Sequence, residues 1–210
     1  MKKRILCFGD SNTWGYNSET RDRFDDDVRW TGILQKLLGE EYTVIEEGHN
    51  GRATVWDDPV ENRLSGLTYL WPCMESQSPF DLIIIMLGTN DTKTYFSVTA
   101  RNIADGAGRL GRIAAASPFG PGGNPPQVLL VSPIRIEYCE DIAYMFGQQA
   151  ADKSLGFSEA FRTVANENGF HFMDASLYAN PGKGDGLHLD AENHASLAKG
   201  MYEKVVSILG

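Results

Sequence analysis

Cysteine is scarce in this sequence. Cys7, Cys73 and Cys139 are the only three in 210 residues, odd in number and widely separated. Such spacing offers neither a C-x-x-C pair for zinc or redox chemistry nor a disulfide framework, so three buried, reduced thiols and a cytoplasmic setting are expected. Basic clustering is equally sparse: Lys2-Lys3-Arg4 is the single basic run, and 19 Lys plus Arg against 28 Asp plus Glu leave a net charge of −9. A reader of nucleic acid needs clustered cations against phosphates, and this balance disfavours one. Long apolar runs are missing too. The longest, Leu82 to Leu87, has six residues, where a membrane helix needs about 20. Ile5 to Phe8, after the basic triplet, is too short for the core of a signal peptide. The expected partners therefore include no nucleic acid and no membrane.

What is present suits a compact globule: 42% of the residues are hydrophobic and 22% charged, and a chain of this size buries roughly 70% of its extended surface on folding. No internal repeat appears, and one domain spanning residues 1–210 is expected. Five apolar runs carry the predicted strands: Arg4 to Phe8, Tyr42 to Glu46, Asp81 to Leu87, Gln127 to Ser132 and Phe170 to Asp174. The third reads as a central parallel strand covered on both faces. Between them lie helical stripes: Trp30, Ile33, Leu34, Leu37, Leu38; then Ile103, Ala107, Leu110, Ala114; then Phe157, Phe161, Val164, Ala165; and finally Leu197, Ala198, Met201, Val205, Ile208. Leu64 to Met74 is expected to be helical, with Pro72 kinking or restarting it. In Pro118 to Pro126 seven of nine residues are Pro or Gly, which reads as a surface loop. Alternation of strand and helix predicts an α/β chain, a three-layer α/β/α sandwich with a parallel sheet.

Parallel strands joined by helices gather their C-terminal ends on one edge, where open α/β folds build their sites. That edge should carry Gly9-Asp10-Ser11-Asn12, Gly48-His49-Asn50-Gly51, Gly88-Thr89-Asn90-Asp91, Ser132-Pro133 and Asp174-Ala175, joined by the later Asp185-Gly186-Leu187-His188. Ser11 is then either an exposed nucleophile or a helix cap. Of the four histidines only His188 has an aspartate nearby in a glycine-containing loop, at Asp185, as a general base held by a carboxylate requires. The same loop also reads as a turn before a helix capped by Asp190. His171 is expected on a strand, and His194 on the solvated face of the last helix. His188 and His194, with Asp190 and Glu192 between them, have an H-x5-H spacing that does not put two imidazoles on one helical face, so no metal is expected. Gly51 and Asn90 are either turn residues or donors to a developing oxyanion.

Taken together in this order, the four blocks Gly9-Asp10-Ser11-Asn12, Gly51, Gly88-Thr89-Asn90-Asp91 and Asp185-Gly186-Leu187-His188 resemble those of the SGNH (GDSL-type) hydrolases. Further likeness, in Thr13-Trp14-Gly15, Val28-Arg29-Trp30-Thr31-Gly32, Ile45-Glu46-Glu47-Gly48 and Ile84 to Lys93, is to the arylesterase and acyltransferase branch. The resemblance implies a flavodoxin-like five-stranded parallel sheet and ester chemistry without cofactor or metal. It further implies Ser11, Asp185 and His188 as the catalytic residues and Ser11, Gly51 and Asn90 as the oxyanion hole. A homo-oligomer that narrows the way into the site is implied as well. Position 12 is Asn where the family's name implies Leu, and Ile134 to Phe157, which should roof the site, match less well.

The expected activity is hydrolysis of short-chain or aryl esters through an acyl-enzyme on Ser11, with transfer to alcohols where the pocket excludes water. Because the base must be neutral, the rate should fall with pH through the range in which imidazoles protonate. Asn12, Tyr16, Lys93 and Leu187 flank motif residues and are expected to contact a small-molecule ester; Trp14, Tyr144 and Phe146 lie on segments at the same edge. Trp30, on an apolar stripe, is expected in the core. A carbohydrate O-acetylesterase with a more open, polar pocket is one alternative, which the Asn12 amide favours. A phosphate- or flavin-binding domain on a flavodoxin-like sheet is another, disfavoured because no aspartate tips strand three and no lysine follows strand five.

Overall fold

The computed structural model describes residues 2–210. Its centre is a sheet of five parallel strands in the order β2-β1-β3-β4-β5: β1 (Lys3–Gly9), β2 (Tyr42–Gly48), β3 (Leu82–Met86), β4 (Gln127–Ser132) and β5 (His171–Asp174). β1 pairs with β2 through Lys3–Tyr42 to Gly9–Gly48 and with β3 through Ile5–Leu82 to Gly9–Met86, so the tips of all three end level.

Alternation along each strand sorts the core into two layers. Leu6, Phe8, Ile83, Ile85, Val128 and Leu130 point to one face, where helices α3 (Gly66–Gln77), α4 (Ala100–Ala115) and α6 (Phe157–Asn168) cover them. Ile5, Cys7, Leu82, Ile84, Leu129 and Val131 point to the other, against α2 (Trp30–Leu38) and α7 (Ala191–Leu209). A strand covered on both sides has no polar face to keep, which is why β3 is apolar from end to end. Two shorter helices, α1 (Ser11–Trp14) and α5 (Gln148–Ser154), belong to the site and its surroundings.

Several details depart from expectation. Helix α3 runs on through Pro72 to Gln77, and it begins at Gly66 because Ser65 caps it, its hydroxyl accepting from the Thr68 N–H. β2 extends to Gly48. There a side chain is sterically barred, since a Cβ would lie 2.1 Å from the Trp14 nitrogen. As expected, the Pro/Gly-rich segment is a loop, joining α4 to β4 with one 3-10 turn at Pro121–Gly123.

His194 is not on a solvated face. It is wholly buried between α7 and α2, edge-on to Phe24 with ring centroids 5.4 Å apart, and its Nδ1 accepts from the Trp30 N–H at 3.3 Å. Position 194 extends the stripe Leu197, Ala198, Met201 back by one turn, so the helical period carries it inward. Burial pushes its pKa down to about 4. No helix among the described residues is long and apolar enough to cross a membrane.

Candidate active site

The chain leaves β1 at Gly9 and turns into α1, and the turn is built by Asp10. The buried Asp10 carboxylate accepts from the Asn12 N–H at 3.0 Å, capping the helix, and Gly15 closes the other end with φ of 87°. This sets Ser11 at the tip of the sheet's second strand in spatial order, beside the tips of β2 and β3. Burial raises the Asp10 carboxyl to about 6, against the opposing pull of the Asn12 N–H, His188 and Arg52.

His188 comes from the other end of the sequence, in the loop before α7. Asp185 organises this loop as an Asx turn: one carboxylate oxygen accepts from the N–H groups of Leu187 at 3.0 Å and His188 at 2.9 Å, while the other meets His188 Nδ1 at 2.6 Å. His188 Nε2 stands 2.8 Å from Ser11 Oγ. In this arrangement Nδ1–H donates to Asp185 and Nε2 is left as the acceptor for the serine proton. Burial works to raise the Asp185 carboxyl, but the bonds from the imidazole and from the two backbone N–H groups outweigh it and hold it below the usual carboxylate range.

Two further strand tips supply donors. Gly51 sits in the turn after β2 with φ of 80°, a conformation that favours glycine. Asn90 opens the 3-10 turn Asn90–Thr92 beyond β3, buried, its Nδ2 donating to the Arg52 carbonyl at 3.2 Å. Among the described residues, the N–H groups of Ser11 and Gly51 are engaged by no protein acceptor. With Asn90 Nδ2 they line the same cavity as His188.

Residues not singled out from sequence brace this floor. The buried Arg52 guanidinium donates to the carbonyls of Gly9 at 2.9 Å and Glu47 at 2.6 Å, tying the tips of β1 and β2 together. Asp91, wholly buried, accepts from the Thr54 N–H at 3.0 Å and from its hydroxyl, locking the Asn90 turn to the segment that follows Gly51. Its carboxyl is raised to about 6 by burial, which the Thr54 bonds only partly offset. Asp91 stood in a motif with no role attached, because its partner lies 37 residues away.

The cavity above the floor holds about 260 Å³. Tyr16 forms one side, its ring centroid 4.6 Å from that of His188. Leu187 forms another, and Ile142 with Tyr144 to Phe146 make the roof. Phe146, Ile136, Ala150 and Leu187 form a small apolar cluster of their own, so the roof rests directly on the histidine loop. Glu61, Arg63 and Asn50 give the remaining wall a polar lining.

Lys93 also borders the cavity, as a buried and paired ammonium. It is 1% exposed, paired with Asp58 at 2.7 Å and with Glu61, and the Tyr95 hydroxyl donates to the same Asp58 carboxylate at 2.6 Å. An ammonium buried this deeply needs such partners, and the loop Asp57 to Arg63 supplies them. Asn12 departs furthest from expectation. Its amide faces away from the cavity: Nδ2 donates to the Leu187 carbonyl at 3.2 Å and Oδ1 accepts from the Leu189 N–H at 2.9 Å. Both ends of the amide are turned to the histidine loop and Asn12 does not line the cavity, so it does not contact a substrate there and gives no preference for a sugar. Trp14 lies outside the cavity beneath the Arg23 guanidinium, and Trp30 is a core residue whose Nε1 donates to the Asn12 carbonyl. His171 is at the exposed start of β5, near Gln127.

The chain and its fold resemble known proteins. The model of the GDSL-like lipase/acylhydrolase family matches residues 7–196. Among solved structures, the aryl esterase of M. smegmatis is 38% identical with a TM-score of 0.92, over 99% of this chain and 100% of that one. A carbohydrate acetylesterase from Sinorhizobium meliloti is 37% identical with a TM-score of 0.94, again over 99% and 100%. A putative arylesterase from Agrobacterium tumefaciens is 33% identical with a TM-score of 0.91, at the same coverage. No curated protein matches the chain in sequence.

Proposed function

The chain belongs to the GDSL-like lipase/acylhydrolase family, and from that premise we propose that it is a serine esterase acting on short-chain or aryl carboxylic esters. The observation that carries this reading is the unbroken contact from Ser11 Oγ through His188 to Asp185, at 2.8 Å and 2.6 Å. Ser11 attacks the ester carbonyl while His188 Nε2 takes its proton, and Asp185 stabilises the imidazolium that forms. The N–H groups of Ser11 and Gly51 and the Asn90 amide receive the tetrahedral oxyanion. His188 then returns the proton to the departing alcohol, leaving the acyl group on Ser11. Water activated by the same histidine releases the acid. An alcohol in its place accepts the acyl group, so acyl transfer belongs to the same proposal.

The small cavity, closed by Leu187 and Phe146, supports a short acyl group. The polar wall of Glu61, Arg63 and Asn50 favours a second reading, deacetylation of a carbohydrate, whose hydroxyls such a wall would hold. Rates on acetylated sugars set against phenyl and short alkyl acetates separate the two. The reading as a whole is tested by p-nitrophenyl acetate turnover in wild type and Ser11→Ala: activity lost in the variant supports it, and equal activity in both refutes the assignment of Ser11. Two further expectations belong to this proposal. Cys7 and Cys73 are buried as expected and Cys139 is only partly so, and three free thiols suit a reducing, cytoplasmic setting. Association of copies around the site is expected, and light scattering that finds a monomer would count against it.

A further inference from the structure

The loop that carries His188 belongs to no strand or helix, yet its imidazole must meet a hydroxyl on a different element 177 residues away. Most of its hydrogen bonds are internal: Asp185 accepts from Leu187 and His188, and the Gly182 N–H donates to the His188 carbonyl at 2.7 Å. These fix the shape of the loop and the Asp185–His188 pair within it. They do not fix where the loop sits relative to Ser11. One outside tie, from the Glu137 N–H to the Gly186 carbonyl at 2.8 Å, leads only to the roof.

We propose that Asn12 is the positioning residue that docks the histidine loop onto the nucleophile's helix, and so sets the Ser11–His188 distance. Its planar amide grips the loop at two points on either side of His188, the Leu187 carbonyl at 3.2 Å and the Leu189 N–H at 2.9 Å. Two points along one strand of chain fix both translation and tilt, where one would leave a pivot. Asn12 is itself held, its N–H donating to Asp10 and its carbonyl accepting from Trp30 Nε1 at 3.1 Å. It is 4% exposed, so water does not compete for the amide. Because Asn12 directly follows Ser11, the clamp and the nucleophile move as one body. Leucine at this position would leave both loop groups without that grip.

This inference rests on the reading of Ser11 and His188 as nucleophile and base. Its test compares wild type, Asn12→Leu, Asn12→Asp and Ser11→Ala, each checked for folding by circular dichroism. A misplacement of about 1 Å at a reacting pair can cost 100-fold, so Asn12→Leu should lose about that much in kcat with KM nearly unchanged. The rate at which a sulfonyl fluoride modifies Ser11 should fall in parallel. The low-field proton signal of His188 Nδ1–H should persist, since Asp185 holds it from within the loop. Asn12→Asp keeps the acceptor for Leu189 and loses the donor to Leu187, and should fall between; it also serves if the leucine variant fails to fold. Wild-type kcat and Ser11 reactivity with only a lowered melting temperature would overturn the clamp, and so would a loss confined to KM. Activity surviving in Ser11→Ala overturns the reading of the site itself; activity lost there but intact in both Asn12 variants overturns the clamp alone.

Discussion

The floor and the roof of the site are held by different physics. The floor is the level end of three paired strands, braced from behind by buried hydrogen bonds: Asp10 to Asn12, Arg52 to Gly9 and Glu47, Asp91 to Thr54. The roof is a short loop whose own core is the cluster around Phe146 and Leu187, with Tyr144 left 76% exposed. A buried network admits one arrangement, because each unpaired member would carry its full desolvation cost. A thin apolar cluster can repack. On the proposed reading, reaction chemistry sits on the braced part and the variable portion of a substrate meets the thinner one.

The largest effect is expected from the carboxylate that holds the histidine between floor and roof. Asp185→Asn should lower kcat about 10,000-fold, since an amide selects the wrong tautomer of the base, while the denaturation midpoint changes little; steady-state kinetics beside a urea titration checks both. Next in size is Lys93→Met, which strands the buried Asp58 carboxylate without its cation. It should cost about 3–5 kcal/mol of stability, read from chemical denaturation.

Asn90→Ala removes one oxyanion donor and should lower kcat roughly 100- to 1,000-fold with KM nearly unchanged. His194 tests the layer behind the site. The unfolded chain protonates an ordinary imidazole near 6.5, the folded chain only near 4, so between these values the unfolded state binds the proton first. His194 thus contributes on the order of 3 kcal/mol above pH 6.5, by the usual 1.4 kcal/mol per unit, and this drains away as pH falls to 4. Asp10 and Asp91 act oppositely: their carboxyls, raised to about 6, take a proton first in the folded state and relieve their own burial cost over the same span. The difference between wild type and His194→Gln isolates the histidine, and it should narrow steadily from pH 7 to pH 4. Smallest of all, Tyr144→Ala on the roof should keep stability within about 0.5 kcal/mol and change the ranking of leaving alcohols more than the rate on any one; a large stability loss would show the roof to be as rigid as the floor.

Legibility in the sequence follows the same division. The strands were readable because burial on both faces leaves unbroken apolar runs, and their tips because glycine and Asx residues mark the turns. Asp185 and His188 were readable because they are three apart in one loop, so their bond is local. The ion pairs of Lys93 were not readable because its partners are 35 and 32 residues away, and nothing near position 93 announces a buried ammonium. His194 was misplaced although the stripe of α7 extends to it, because a polar ring on a helix reads as solvated until a neighbouring helix is known to cover it.

By itself, then, the sequence determined the parallel α/β architecture, the edge on which chemistry sits and the serine, histidine and aspartate brought to it. The architecture and its edge are written in short-range periodicity and in turns a few residues long, and the serine, histidine and aspartate in the resemblance carried by four short ordered blocks. Only the tertiary structure decided what Asn12, Lys93 and Asp91 do, and which loops enclose the cavity. Their partners come from distant parts of the chain, and a hydrogen bond across 175 residues leaves no local pattern to read.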